Sequence, residues 1–263
     1  MAVSARWTVG AVVGAVALGV VACQPSSFED TLDEWFDFID TGSLTPEEAP
    51  PHYPDDRGVL ALISELEMAA ESTMADYDRS DFPHWERLDP QFGFGATYSF
   101  IEGRCTSRDA VLLRDATGDV TLDPDTCDFA VGPGGGWLDQ YGVIDRESGE
   151  LRDYKWMTNS SDVDAEHIVA LGEAWRSGAS EMDLETRTLI ANDALNVVIS
   201  DPSANRSKGD QDPSTYLPPG NFRCEYVERY TQVKVKYGLT VDPDEHSALR
   251  NAATECITKG ELE

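Results

Sequence analysis

Four cysteines, Cys105, Cys127, Cys224 and Cys256, restrict what this chain can fold into more than any other feature. No CxxC pair occurs, which argues against a structural zinc site built from cysteines. An even set in a chain bound for an oxidising compartment reads as two disulfides. Three pairings are possible. Cys105 with Cys127 and Cys224 with Cys256 are favoured, because each pair closes a local loop within one segment. The fifth cysteine, Cys23, stands apart behind Arg6 and an uncharged stretch rich in Gly, Ala, Val and Leu. That order reads as a secretory signal over residues 1–22.

The 263 residues, 41% of them hydrophobic, can bury a core of ordinary size in one domain, with or without an arm. Lys and Arg number 20 against 49 Asp and Glu, a net charge of −29. Such a charge repels a polyanion at long range and low salt, which argues against a simple nucleic-acid-binding module. The excess is uneven. Residues 24–56 hold ten acids and no Lys or Arg, whereas residues 204–236 hold six bases and four acids, a local net of +2.

Residues 23–57, with Pro46, Pro50, Pro51 and Pro54 near their end, read as an acidic tether interrupted by one apolar patch at Trp35, Phe36, Phe38 and Ile39. The folded domain is expected over 58–263. It opens with an amphipathic helix within Gly58 to Ala75, whose apolar positions are Leu60, Ile63, Leu66 and Ala70. Tyr77-Asp78-Arg79 with Phe82, His84 and Trp85 mixes aromatic and charged residues, and His84 reads as a packed surface histidine. Ala110 to Leu113 is a short helix or strand, and Trp137 to Val143 a strand or turn after a glycine-rich break at 132–136.

Ser161 to Leu171 carries a β-like run at Ile168, Val169 and Leu171. Glu173 to Ser177 reads as helical and stopped by Gly178, and Asp183 as the N-cap of a helix through about Ala191. Leu195 to Ile199 is the clearest strand. Asp201-Pro202 turns the chain, and Ser203 is expected to cap a short helix with Asn205, Arg206 and Lys208, ended by Gly209.

Glu166-His167 puts a possible metal ligand and a possible general base on adjacent residues. Phosphodiester hydrolysis needs a base for water, a cation at the phosphate and a positive group for developing charge. His167 can be the base. Glu166 and Asn205 can hold a divalent ion, with Asp164 sharing the role if both acids face one side of a strand. Mg²⁺ is the first expectation, with Mn²⁺, Zn²⁺ or Ca²⁺ as alternatives. Lys208, one turn beyond Asn205, would meet the phosphate. Asn196 would hold the His167 ring or pin the loop that carries it. Arg176, Arg187 and Arg206 are candidate nucleic-acid contacts, each with a possible acidic partner at Glu173, Glu185 or Asp210. Arg108 reads as a site residue or a structural tie. His52 and His246 read as solvated, and Lys234 with Lys236 as a basic rim or one exposed strand face.

The order Glu166-His167, Asn196, Asn205 and Lys208 resembles the HNH endonucleases in their His-Asn-Asn form. More narrowly, the chain is similar to secreted HNH family proteins of actinobacteria. The shared patterns include Tyr77-Asp78-Arg79, Cys105-Thr106-Ser107-Arg108, Glu173 to Gly178, Ala191-Asn192-Asp193 and Ser203 to Asp210, over roughly Leu60 to Cys256. The resemblance implies an α+β fold with a ββα-metal finger at about 160–212, embedded in a larger, mostly helical domain. It also implies a metal-dependent endonuclease acting on DNA first and RNA second. His167 matches the general base, Asn196 the central asparagine, and Glu166 and Asn205 the metal ligands. Two positions depart from the pattern: Glu166 stands where Asp is usual and Ala170 where Pro is usual. Val20-Val21-Ala22-Cys23 resembles a bacterial lipobox, which implies a lipid on Cys23 and a monomer anchored at the outer face of the cytoplasmic membrane. The alternative is a non-catalytic surface lipoprotein that uses the finger as a structural or partner-binding module.

Overall fold

The computed structural model describes residues 58–262, all within the second of two units into which the chain divides, 44–263. The expected signal, Cys23, the acidic tether and His52 lie outside the described residues. Among those residues, no helix is long and apolar enough to cross a membrane.

Helices and three two-stranded antiparallel sheets alternate along the chain, an α+β fold. The helices are α1 (Val59–Glu65), α2 (Ser107–Arg114), α3 (Leu171–Arg176), α4 (Leu184–Asn192), α5 (Pro202–Lys208), α6 (Arg223–Tyr237) and α7 (Pro243–Lys259). The strands pair as β1 (Val120–Leu122) with β2 (Phe129–Val131), β3 (Trp137–Leu138) with β4 (Trp156–Met157), and β5 (Asp164–His167) with β6 (Val197–Ser200).

Local chemistry sets most helix ends. Thr106 and Asp109 form a capping box on α2, and Asp242 and Glu245 form another on α7 behind Pro243. Asp183 caps α4 by accepting from the Thr186 amide, as expected. Gly178, at φ 112°, follows α3 in a conformation that side chains rarely adopt. The cap of α5 is Asp201 rather than Ser203: its carboxylate accepts from the Ser203 amide, and Pro202 takes the first helical position.

The β5–β6 pair divides two hydrophobic cores. Val198 packs with α1, α3, α6 and α7, while Val197 and Ile199 pack with α2 and the β1–β4 region. Every residue of β6 is buried, which is why Leu195 to Ile199 reads as one continuous apolar run. The partner strand starts earlier than its apolar residues indicate. Asp164 to His167 pair with Ser200 to Val197, and Ile168 and Val169 leave the sheet to enter the core.

Three further expectations are corrected. Helix α1 ends at Glu65 and buries Val59, Leu62 and Ile63, leaving Leu60 and Ala70 exposed, because Leu66 is already extended. Lys234 and Lys236 stand on α6, not on a strand, and Lys234 is fully buried. His246 is half-buried on α7 rather than solvated.

Cys105 is bonded to Cys127 and Cys224 to Cys256, the pairing favoured by local loop closure. The second bond ties the start of α6 to the last turns of α7. Replacing Cys224 and Cys256 together by Ala is expected to cost about 2–4 kcal/mol through the freed unfolded chain. A urea midpoint unchanged from that of the native protein would contradict this.

Candidate active site

The residues singled out around Glu166-His167 meet where β5, β6 and α5 come together. Asp164 and Glu166 are two apart on β5 and so share a face. Asn205 and Lys208 are three apart on α5 and share a face there. The two faces meet residue for residue. Asn205 Nδ2 donates to Asp164 Oδ2 at 3.0 Å, and Lys208 Nζ lies 2.7 Å from Glu166 Oε1.

Lys208 is fully buried and also donates to the His167 carbonyl at 2.9 Å. Read from the sequence as a phosphate contact, it instead balances a buried carboxylate and holds the backbone of β5. Burial pushes the Glu166 carboxyl upward, and the Lys208 charge opposes that shift. Glu166 Oε1 is buried and has the Lys208 ammonium at ion-pair distance but no well-directed hydrogen bond. Lys208→Met leaves that carboxylate buried without its cation and is expected to destabilise the fold by about 3–5 kcal/mol. Adding Glu166→Gln should recover part of the loss; strictly additive losses in denaturation would rule out the coupling.

His167 is buried, and its Nε2 is bound to the Ala191 carbonyl at 2.8 Å. A carbonyl only accepts, so Nε2 carries the hydrogen and Nδ1 of the neutral ring keeps its lone pair. Burial pushes the imidazole down to about 3; the Ala191 bond opposes this, and Arg79, His84 and Lys208 add to it. A ring held neutral in the fold is protonated more readily in the unfolded chain. Its contribution is complete above the unfolded value of about 6.5 and is lost as pH falls through the folded value, about 3. Urea midpoints measured in chelator should therefore fall between these limits, less steeply in His167→Gln; identical pH profiles would contradict the assignment.

Asn196 is fully buried, and its side-chain hydrogen bonds go to backbone groups rather than to the ring. Its Oδ1 accepts from the Val169 amide at 2.8 Å, and its Nδ2 donates to the Ile190 and Val169 carbonyls. It pins the chain just beyond His167 to the chain just before Ala191, the second of the two roles expected for it.

Three arginines read as nucleic-acid contacts are placed differently. Arg176 binds Glu71, Glu173 and Asp210; burial works against its charge, but those acids outweigh it and raise its pKa. Arg187 donates to the Asp81 and Met182 carbonyls and lies over the Trp175 ring, with no bond to Glu185. Arg206 is exposed on α5. Arg108 is a structural tie, donating to the Ser160 and Val163 carbonyls ahead of β5. Ligand oxygens of Glu71, Glu173 and Asp212 lie within 4.8 Å of one another, but Arg176 and Lys234 engage Glu173, which makes this an ion-pair network.

The structure adds a wall that the spacing of residues did not reveal. Trp85 stacks on His167 with ring centroids 5.1 Å apart, and the His84 ring is 6.4 Å from it. Arg79 is exposed, and its charge acts on both His167 and Glu166. Asn192 holds this wall in place: Oδ1 accepts from the Glu86 amide and Ser107 hydroxyl, and Nδ2 donates to the Pro83 and Thr188 carbonyls. The available signal was the mixed run Phe82-Pro83-His84-Trp85, but nothing in it indicates a distant partner on β5.

Comparison with known proteins adds to this geometry. Residues 141–252 match the family model for the C-terminal domain of GmrSD restriction endonucleases, which supports a nuclease family. That span contains Asp164, Glu166, His167, Asn196, Asn205 and Lys208, but not Arg79, His84 or Trp85. The chain is also 32% identical over 215 residues to an uncharacterized secreted protein of Arthroderma benhamiae, covering 80% of this chain and 91% of the relative. The chain belongs to the same family as that secreted protein. No solved structure matches it.

Proposed function

We propose that this protein is a secreted, metal-dependent endonuclease of the HNH type that hydrolyses phosphodiester bonds of DNA, with RNA as a second substrate. The observation that carries the reading is His167, whose Nε2 is committed to the Ala191 carbonyl and whose Nδ1 is left, on the same strand whose Asp164 and Glu166 meet Asn205 and Lys208 of α5. The match to the GmrSD restriction endonuclease domain spans these residues and supports the class of reaction.

Glu166, Asp164 and Asn205 would hold one divalent ion. The donors are two carboxylates and one amide, an all-oxygen set that suits Mg²⁺ first, with Mn²⁺, Zn²⁺ or Ca²⁺ as alternatives. When bound, the ion supplies Lewis acidity at the phosphoryl group.

The chain's own residues supply the rest. His167 Nδ1 takes the proton of the attacking water. Trp85 fixes the ring from one face, and Asn196 fixes the backbone behind it. Arg79 meets the charge that develops on the phosphate, the role first read for Lys208. Arg206 is the exposed nucleic-acid contact of the three arginines named. The lipobox-like Cys23 would tether a monomer to the outer face of the cytoplasmic membrane; the secreted relative supports export.

One observation favours a second reading, a non-catalytic lipoprotein that uses the finger as a structural or partner-binding module. Lys208 already neutralises Glu166, so an ion and an ammonium must share that carboxylate. Calorimetry with divalent ions separates the two, since heat of binding lost in Asp164→Ala supports the metal site.

Incubation of the purified protein with plasmid and Mg²⁺ or Mn²⁺ is expected to give nicking that EDTA abolishes. His167→Ala should lower the rate by about 10²–10⁴-fold. Equal nicking by wild type and variant, or none by wild type, would sink the endonuclease reading.

A further inference from the structure

His84 has no part in the roles assigned above, yet it belongs to the same ring cluster. Its plane stands at 80° to that of His167, with centroids 6.4 Å apart, and Trp85 touches both rings. The placement is built in. Trp85 adopts φ 57°, a left-handed conformation that costs a bulky residue energy and persists only where its surroundings enforce it. Asn192 clamps the segment on both sides, donating to the Pro83 carbonyl at 2.8 Å and accepting from the Glu86 amide at 2.9 Å.

The two imidazoles are held by opposite nitrogens. His84 Nδ1 is bound to the Phe82 carbonyl at 2.9 Å, so that nitrogen carries hydrogen and Nε2 is the one left for chemistry. In His167 the bound nitrogen is Nε2 and the remaining one is Nδ1. His167 is buried, whereas His84 is only half-buried and stands nearer the solvent from which a polynucleotide arrives. General acid–base catalysis of in-line displacement uses one group that removes a proton from water and another that delivers one to the departing oxygen.

We propose that His84 is a second catalytic residue, the acid that protonates the leaving group; this rests on the phosphodiesterase reading. Water attacks phosphorus while its proton passes to His167 Nδ1. The bond from phosphorus to the departing nucleoside oxygen breaks, and that oxygen takes the proton from Nε2 of the His84 imidazolium. One water is consumed, a phosphomonoester and an alcohol form, and proton exchange with solvent restores both rings.

The test compares two substrates in Mg²⁺ or Mn²⁺: plasmid DNA, whose leaving alkoxide needs a proton, and bis(p-nitrophenyl) phosphate, whose leaving group is stable as its anion. His84→Ala and His84→Gln are expected to lose about 10²-fold or more on plasmid while staying within about threefold of wild type on the nitrophenyl ester. Thermal unfolding of both variants checks the fold, and the Gln variant retains bulk beside Trp85 if the Ala variant unfolds. Equal losses on both substrates, or no loss on plasmid, overturn the role of His84 while leaving the nuclease reading intact. A wild-type protein that cleaves neither substrate overturns both.

Discussion

The site depends on how the turn between α4 and β6 is held. Asn196 joins this turn to the end of β5 through Val169 and to α4 through the Ile190 carbonyl, while its own carbonyl accepts from the Ile168 amide. Two guanidinium groups take up the carbonyls that remain. Arg114 donates to Ala194 and Val197, and Arg229 to Ala194, Leu195 and Val197. Burial pushes the Arg229 pKa down, and three backbone carbonyls, two of them shared between the arginines, keep the arrangement satisfied. The candidate site is positioned by this knot. The Ala191 carbonyl that orients His167 and the Asn192 amide that clamps His84 and Trp85 are the two residues just before it.

Buried charge recurs at two places with different consequences. Lys234 Nζ contacts Glu173, Glu245, Ser177 and the Thr240 carbonyl, binding α3 to α6 and α7. Glu245 is pushed up to about 7, first by burial and then by Glu173, with Lys234 opposing. These contacts organise the helical core away from β5. Lys208 and Glu166 do the same between α5 and β5, where Lys208 also holds the His167 carbonyl. Such pairs add little net stability over apolar substitutes, yet removing one partner is costly, so each acts to specify position.

Much of this was legible in the sequence because it is local. Asp183, Pro202, Gly178 and Gly209 mark helix ends through backbone chemistry that acts within a few residues. The two disulfides follow from short loops, and β6 from its apolar run. The order of Glu166, His167, Asn196 and Asn205 named the residues of the candidate site. What it did not reveal is partner choice across the fold. Lys208 reads as a phosphate contact because it lies one turn beyond Asn205 on the same helix face, but here the helix packs that face on β5 and leaves Arg206 outside. Likewise His84 looks like an ordinary surface histidine until Asn192 draws its loop against β5.

The net charge of −29 argued against nucleic acid, and the structure shows why the whole-chain value is a poor guide to the site. Long-range repulsion is screened within about 8–10 Å at ordinary ionic strength, so on the proposed reading only local groups count near a bound phosphate. Within that reach one of the two acids of β5 is compensated, Glu166 by Lys208, with Arg79 outside both. Asp164 is different, half-buried and facing the Asn205 amide rather than a cation. On the proposed reading, that makes Asp164 and Asn205 the anchor of the ion, with Glu166 a shared and weaker ligand. The methylene that distinguishes Glu166 from the usual Asp then extends its carboxylate toward Lys208. The departure from the family pattern and the burial of the lysine are in that case one adjustment, not two.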